Sequence, residues 1–143
     1  MGDFAPNRSN RVRISRLLKG KEVILRGISA LKYMELFNDE HAEIEETIFV
    51  YAKEKIKENN LKIKIINDFD AIDYNEDWEI ACSTLNQVIS DMLSEPELMN
   101  QAVLVESLAN YYEEKANFDD LKVCETKKAD FETLKILAMA FYY

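Results

Sequence analysis

The chain has 143 residues, 48% of them hydrophobic, which suffices for one domain with a substantial core and is too short for two. Three glycines and two prolines are fewer than a fold of many short strands and tight turns demands, so the composition favours helices. The net charge of −9 repels nucleic acid and anionic membranes, and no apolar run approaches the roughly eighteen residues that would span a bilayer.

Residues 1–10 carry Gly2, Pro6 and polar side chains without periodicity, which predicts a mobile tail. From Arg11 the pattern alternates, Arg-Val-Arg-Ile-Ser-Arg-Leu, and after Lys19-Gly20 it resumes at Glu22-Val-Ile-Leu-Arg26. The spacing predicts a short β-hairpin with its turn at Lys19-Gly20. Val12, Ile14 and Leu25 would face the body, and Arg11, Arg13 and Arg16 would line an outward edge. Residues 1–32 hold eight basic side chains against two acidic ones, a balance of +6. Residues 33–143 hold ten basic against twenty-five acidic, a balance of −15. The organisation is therefore a basic arm over 1–28 followed by an acidic helical domain over 29–143. A basic arm on an acidic body is attracted to acidic surfaces, including that of an identical neighbour.

Ser29 is a candidate N-cap for a helix through Leu31, Tyr33, Met34 and Phe37. After a break at Asn38-Asp39, Ile44, Ile48, Tyr51, Ala52 and Ile56 keep helical spacing until Glu58-Asn59-Asn60. Residues 61–66, Leu-Lys-Ile-Lys-Ile-Ile, alternate briefly and fit a short strand or another helical turn. Residues 67–74 read as a connector pinned by Phe69 and Ile72. Asp68, Asp70 and Asp73 within it lack the glycine and the terminal glutamate of a calcium loop.

The expected centre of the fold is 75–115, read as two amphipathic helices. Trp78, Ala81, Cys82, Leu85, Val88, Ile89, Met92 and Leu93 recur at three- and four-residue steps. At Ser94-Glu95-Pro96-Glu97 a capping box with proline in the first turn opens a second helix through Leu98, Ala102, Val105, Ala109 and Tyr112. The predicted class is mainly α, a single-domain bundle on this central αα-hairpin, with Trp78 in its core. Residues 117–125 read as a loop. Thr126 then caps a last helix through Ala129, Phe131, Leu134, Leu137, Ala138 and Phe141, whose aromatic end, Phe141-Tyr142-Tyr143, docks on the body or on a partner.

Catalytic signatures are absent. There is no glycine-rich phosphate loop, no Gly-x-Ser-x-Gly, no His-Glu-x-x-His and no Cys-x-x-Cys. The single histidine, His41, cannot furnish the two Glu-x-x-His pairs of a helical carboxylate metal site, and Cys82 reads as a buried small hydrophobe. The expectation is a protein that is not an enzyme, with no cofactor and no metal. The opening residues lack a charged segment followed by an apolar one, which predicts a cytoplasmic chain with free thiols.

The basic stretch Arg11-Val-Arg-Ile-Ser, then Gly20-Lys-Glu-Val-Ile-Leu-Arg-Gly-Ile-Ser-Ala-Leu-Lys-Tyr-Met34, leading into an acidic helical body, resembles the tail assembly chaperones of long-tailed siphophages. The resemblance is one of layout over most of the chain and transfers no individual residue. It implies a small, mostly helical, cytoplasmic protein that binds the hydrophobic tape measure protein, keeps it soluble during tail assembly and forms oligomers.

On this reading a groove lined by Phe131, Leu134, Phe141 and Tyr142 accepts a partner helix. Arg11, Val12, Arg13, Ile14 and Arg16 mediate head-to-tail self-association into a ring or spiral. The alternative is a small regulatory protein that binds nucleic acid through Arg8, Arg11, Arg13 and Arg16, which the −15 body disfavours.

Overall fold

The computed structural model describes residues 6–37, 47–58 and 60–142, and their side chains other than those of 6–10, 141 and 142. The element order is α1 (Pro6–Leu18), β1 (Val23–Leu25), α2 (Gly27–Tyr33), β2 (Ile48–Ala52), β3 (Leu61–Ile65), β4 (Tyr74–Asn75), β5 (Cys82–Ser83), α3 (Leu85–Ser94), α4 (Gln101–Lys115) and α5 (Lys128–Tyr142). Short 3-10 turns lie at Phe69–Ala71 and Glu125–Lys127. The architecture is α/β, which corrects the expected helical bundle: five strands form one mixed sheet in the order β3-β2-β1-β5-β4.

The expected N-terminal hairpin is a helix. Pro6 stands at its first position, where the missing N–H costs nothing, and Ile14 and Leu18, one turn apart, are fully buried. The turn does fall at Lys19-Gly20, with Gly20 in the left-handed region (φ 80°) and the Lys21 N–H donating to Leu18 O at 2.9 Å. β1 then enters the centre of the sheet, antiparallel to β2 and parallel to β5. All three of its residues are buried, as in a strand covered on both faces. The pleat puts Val23 and Leu25 on the core face with Val50 and Ala52 opposite them, and pairs Ile24 with Tyr51 on the other face.

Helix α2 is the hub. Every residue of it except Ile28 is buried, and it packs against α1, α3, α4, β2 and β5. Its start is Arg26-Gly27, not Ser29, whose hydroxyl instead accepts the Phe49 N–H at 2.8 Å and so ties α2 to β2. Its end is a Schellman motif: Glu35 takes the left-handed conformation (φ 64°), the Leu36 N–H reaches Leu31 O and the Glu35 N–H reaches Lys32 O, both at 3.0 Å.

The helix expected through Ile48, Tyr51 and Ala52 is strand β2; the part expected over 38–46, with His41, lies outside the described residues. Ile-Phe-Val-Tyr-Ala is β-branched and aromatic, and pairing with β1 and β3 decides it against the helical spacing. The undecided residues 61–66 supply β3, parallel to β2 after a crossover of only eight residues, 53–60, where a dozen or more is usual.

The central αα-hairpin is also corrected. Its first helix begins at Leu85, not Asn75, with Thr84 as N-cap accepting the Gln87 N–H; Cys82 lies on β5 and Trp78 in the loop before it, half-buried. Ser94 ends α3 and caps nothing. Asn100 caps α4 by accepting the Val103 N–H at 3.2 Å. The two helices are not each other's main partners, because α3 packs on α2 and α4 packs chiefly on α5. The predicted loop over 117–125 is present as far as Cys124, after which the 3-10 turn begins, and is held by Phe118 stacking on Tyr111 and by buried Leu121.

Candidate functional site

Three places in this fold carry chemistry or unusual surface. The first is α5. Phe131, Leu134 and Ala138 recur at three- and four-residue steps and are buried against α4. Phe131 and Leu134, expected to line a partner groove, are therefore core residues and are closed to a client. Phe141 and Tyr142 belong to α5, but their side chains lie outside those described. The opposite side of α5 presents Ala129, Thr133, Ile136 and Ala140, flanked by Leu137 and Met139. Ile136 is 68% exposed, the most open of the large apolar side chains described. Two of the nearby charges are engaged with each other: Lys135 Nζ lies 2.7 Å from Glu132 and sits over the Phe131 ring. Residues 136–143 carry no charged side chain. An outward helical face of this kind has the apolar width to take another helix.

The second place is the α1 flank. Of the residues expected to mediate self-association, Ile14 is in the core and unavailable to a neighbour; Val12 (45%) is exposed, as are Leu17 (44%) and Arg16, while Arg11 and Arg13 are half-buried. Arg11 is fixed in place. Its Nε and Nη2 donate to Tyr33 O at 2.9 and 2.6 Å, satisfying a carbonyl that the end of α2 leaves open, and its guanidinium lies over the rings of Tyr33 and Trp78. The Tyr33 hydroxyl accepts the Ile80 N–H at 3.2 Å and bonds Ser15 Oγ at 3.0 Å. Beside this assembly runs an open cleft of about 440 Å³, lined by Arg11, Val12, Ser15, Arg16, Lys19, Tyr33, Trp78 and Glu79.

The third place is a buried polar network that sequence reasoning missed. Arg26, 5% exposed, leaves the end of β1 and meets the last turns of α3, bonded to Glu95 and 3.7 Å from Asp91. Its guanidinium covers the Tyr51 ring, whose hydroxyl donates to Asp91 at 2.5 Å; Gln87 Nε2 donates to the other Asp91 oxygen at 2.9 Å, and Lys64 reaches Glu95 at 2.9 Å. Burial pushes the Tyr51 phenol well above its usual range, and the bond to Asp91 adds to the rise. Burial alone would raise Glu95 as well, but the bonds from Arg26 and Lys64 outweigh it and hold the carboxyl below its usual value. Tyr51 therefore stays a phenol and Glu95 a carboxylate near neutrality, an arrangement that joins β1, β2, β3 and α3. The one available signal was an arginine directly after the apolar run Val-Ile-Leu and directly before a glycine.

Among the described residues no three His, Cys, Asp or Glu side chains are grouped to hold a metal ion. Cys82 is buried as expected, and burial pushes its thiol up to about 12. Cys124 is exposed, and the Thr126 hydroxyl bond lowers its pKa. No described helix is long and apolar enough to cross a membrane.

Compared with known proteins, the sequence matches no protein-family model and no curated protein.

Proposed function

We propose that the protein is a non-enzymatic binding module of the chaperone type that takes hydrophobic helical segments of a client onto the outward face of α5. The observation that carries this reading is the apolar face around Ile136, which α4 leaves uncovered and which the Glu132–Lys135 pair borders on one side only. Helix-on-helix docking needs anchors at three- and four-residue steps on each partner, and Ala129, Thr133, Ile136 and Ala140 provide them with small residues around one large knob.

The resemblance to siphophage tail assembly chaperones supplies the client to test, the tape measure protein, and places the encounter in the host cytoplasm. The mixed sheet departs from the mostly helical body that the resemblance implies, and the exposed α5 face carries the reading. Co-expression with a tape measure protein should give a complex that co-purifies. Ile136→Glu should abolish the complex while leaving the melting temperature and helical content of the free protein unchanged. Co-purification unaffected by Ile136→Glu and by Met139→Glu would overturn the placement.

A further inference from the structure

We propose that the cleft between α1 and the Trp78 loop is a second docking site, distinct from the α5 face, which binds a short acidic peptide segment of a protein partner. The lining carries Arg11, Arg16 and Lys19 against the single carboxylate of Glu79, three positive charges to one negative, in a chain whose overall charge is −9. A local reversal of sign on an acidic protein concentrates anionic ligands at that spot and steers them there.

The floor is preorganised. Arg11 is held by two bonds to Tyr33 O and lies over Trp78, and Tyr33 is itself held from Ser15 and Ile80, so a ligand meets a cation whose orientation is already fixed. Val12 and the half-buried Trp78 add an apolar wall for a side chain between the carboxylates.

Shape and charge favour a peptide over a compact anion or a nucleic acid. A neighbouring cleft of about 480 Å³ shares Lys19 and Glu79 with the first and continues past Phe69 and Tyr74, so the surface is an extended groove. The second cleft adds Glu22 and Glu76 to Glu79, against Lys19 and Lys21. A continuous polyphosphate would run from the positive end onto these carboxylates, whereas a short peptide with its acids grouped around one apolar side chain can stay within the Arg11 end.

Trp78 is the protein's single tryptophan and lines the cleft, so its fluorescence reports occupancy directly. The probes are the blocked peptide Asp-Glu-Phe-Glu-Asp, its charge-reversed counterpart Lys-Arg-Phe-Arg-Lys, inorganic phosphate and a single-stranded oligonucleotide. The acidic peptide should give a saturable change that weakens with added salt, and the other three should not. Arg16 and Lys19 are exposed and outside the core, so Arg16→Glu/Lys19→Glu should lower the melting temperature by no more than a few degrees, through the reversed charge at the end of α1, and weaken peptide binding by about tenfold or more, because each reversal turns an attraction into a repulsion. No saturable response to the acidic peptide, equal binding of the basic peptide, tighter binding of phosphate or oligonucleotide, or an unchanged affinity in the double variant would each overturn the proposal. None of these results bears on the α5 face, whose test uses a different variant and a helical client.

Discussion

Replacing Arg26 by methionine should be among the most damaging single changes in this protein. Methionine approximates the length of the aliphatic stem but removes the charge, and Asp91 and Glu95, whose side chains are 10% and 17% exposed, are left facing an apolar thioether. Removing one partner of a buried ion pair costs about 3–5 kcal/mol, since the remaining charge keeps its desolvation penalty. Here Lys64 still reaches Glu95, and Tyr51 and Gln87 still donate to Asp91, which places the expected loss at the lower end, about 3 kcal/mol. For a chain of this length that is a fall in melting temperature of about 10 °C.

The pH dependence gives an independent check. Glu95 has a folded-state pKa below the ordinary 4.5 of a glutamate, so its stabilising contribution is fully present above the unfolded-state pKa and is lost as pH falls through the folded value. Without Arg26 much of that depression disappears while burial remains. The gap between wild type and Arg26→Met should accordingly be widest near neutrality and shrink below about pH 4.5. Urea melts of both proteins from pH 3.5 to 7 measure it. Adding Glu95→Leu should recover part of the loss by removing one of the stranded charges. A deficit under about 1 kcal/mol at pH 7, or one that does not change with pH, would show that the network does not hold β1, β2, β3 and α3 together as argued.

Gly27 and Gly20 both have positive φ, but a Cβ on Gly27 would come within 2.7 Å of Leu98 Cδ1, whereas one on Gly20 would meet nothing. Gly27→Ala should therefore cost about 2–4 kcal/mol and Gly20→Ala only about 1, compared by thermal melts. Thiol labelling of the native protein at pH 8 should modify Cys124 rapidly and spare Cys82, which burial holds near 12, until denaturant is added; two fast thiols in the native state would contradict its burial.

Segments whose packing is local were legible in the sequence, and segments whose identity depends on distant pairing were not. The last helix, the loop after Lys115 and the turn at Gly20 follow from nearby periodicity and turn chemistry, whereas Cys82 is buried on β5 and not on the helical stripe that predicted its burial. β2 was misread because Ile48, Tyr51 and Ala52 also fit a helical face, and only its register with β1 and β3 selects the extended form. β4 and β5 have two residues each, too short to show any alternation, and they displaced the expected start of α3 by ten residues. At the surfaces, periodicity located the apolar residues of α5 but could not say which side α4 would cover. Phe131 and Leu134 went to the core, and Ile136, absent from the expected set, was left outside.

Among the described residues α4 is the main packing partner of α5, and the buried side chains described on α5 are Phe131, Leu134 and Ala138. A helix of 15 residues owes most of its stability to tertiary packing of one face, and isolated helices of this length are marginal in water. With α4 as its main partner among the described residues, α5 should be the least protected of the long helices, able to detach at a free energy below that of global unfolding. Phe131→Ala removes the largest contributor and should release α5 while β1, β2 and α2 hold. In hydrogen exchange, peptides from 128–142 should lose protection in this variant and those covering 48–52 should keep theirs. An apolar helical client seated around Ile136 would act in the opposite direction, clamping α5 between itself and α4 and slowing exchange over 128–142 in the wild type. Equal loss of protection across both regions in Phe131→Ala would mean that α5 is coupled into the global transition, and a client could then gain nothing by ordering it.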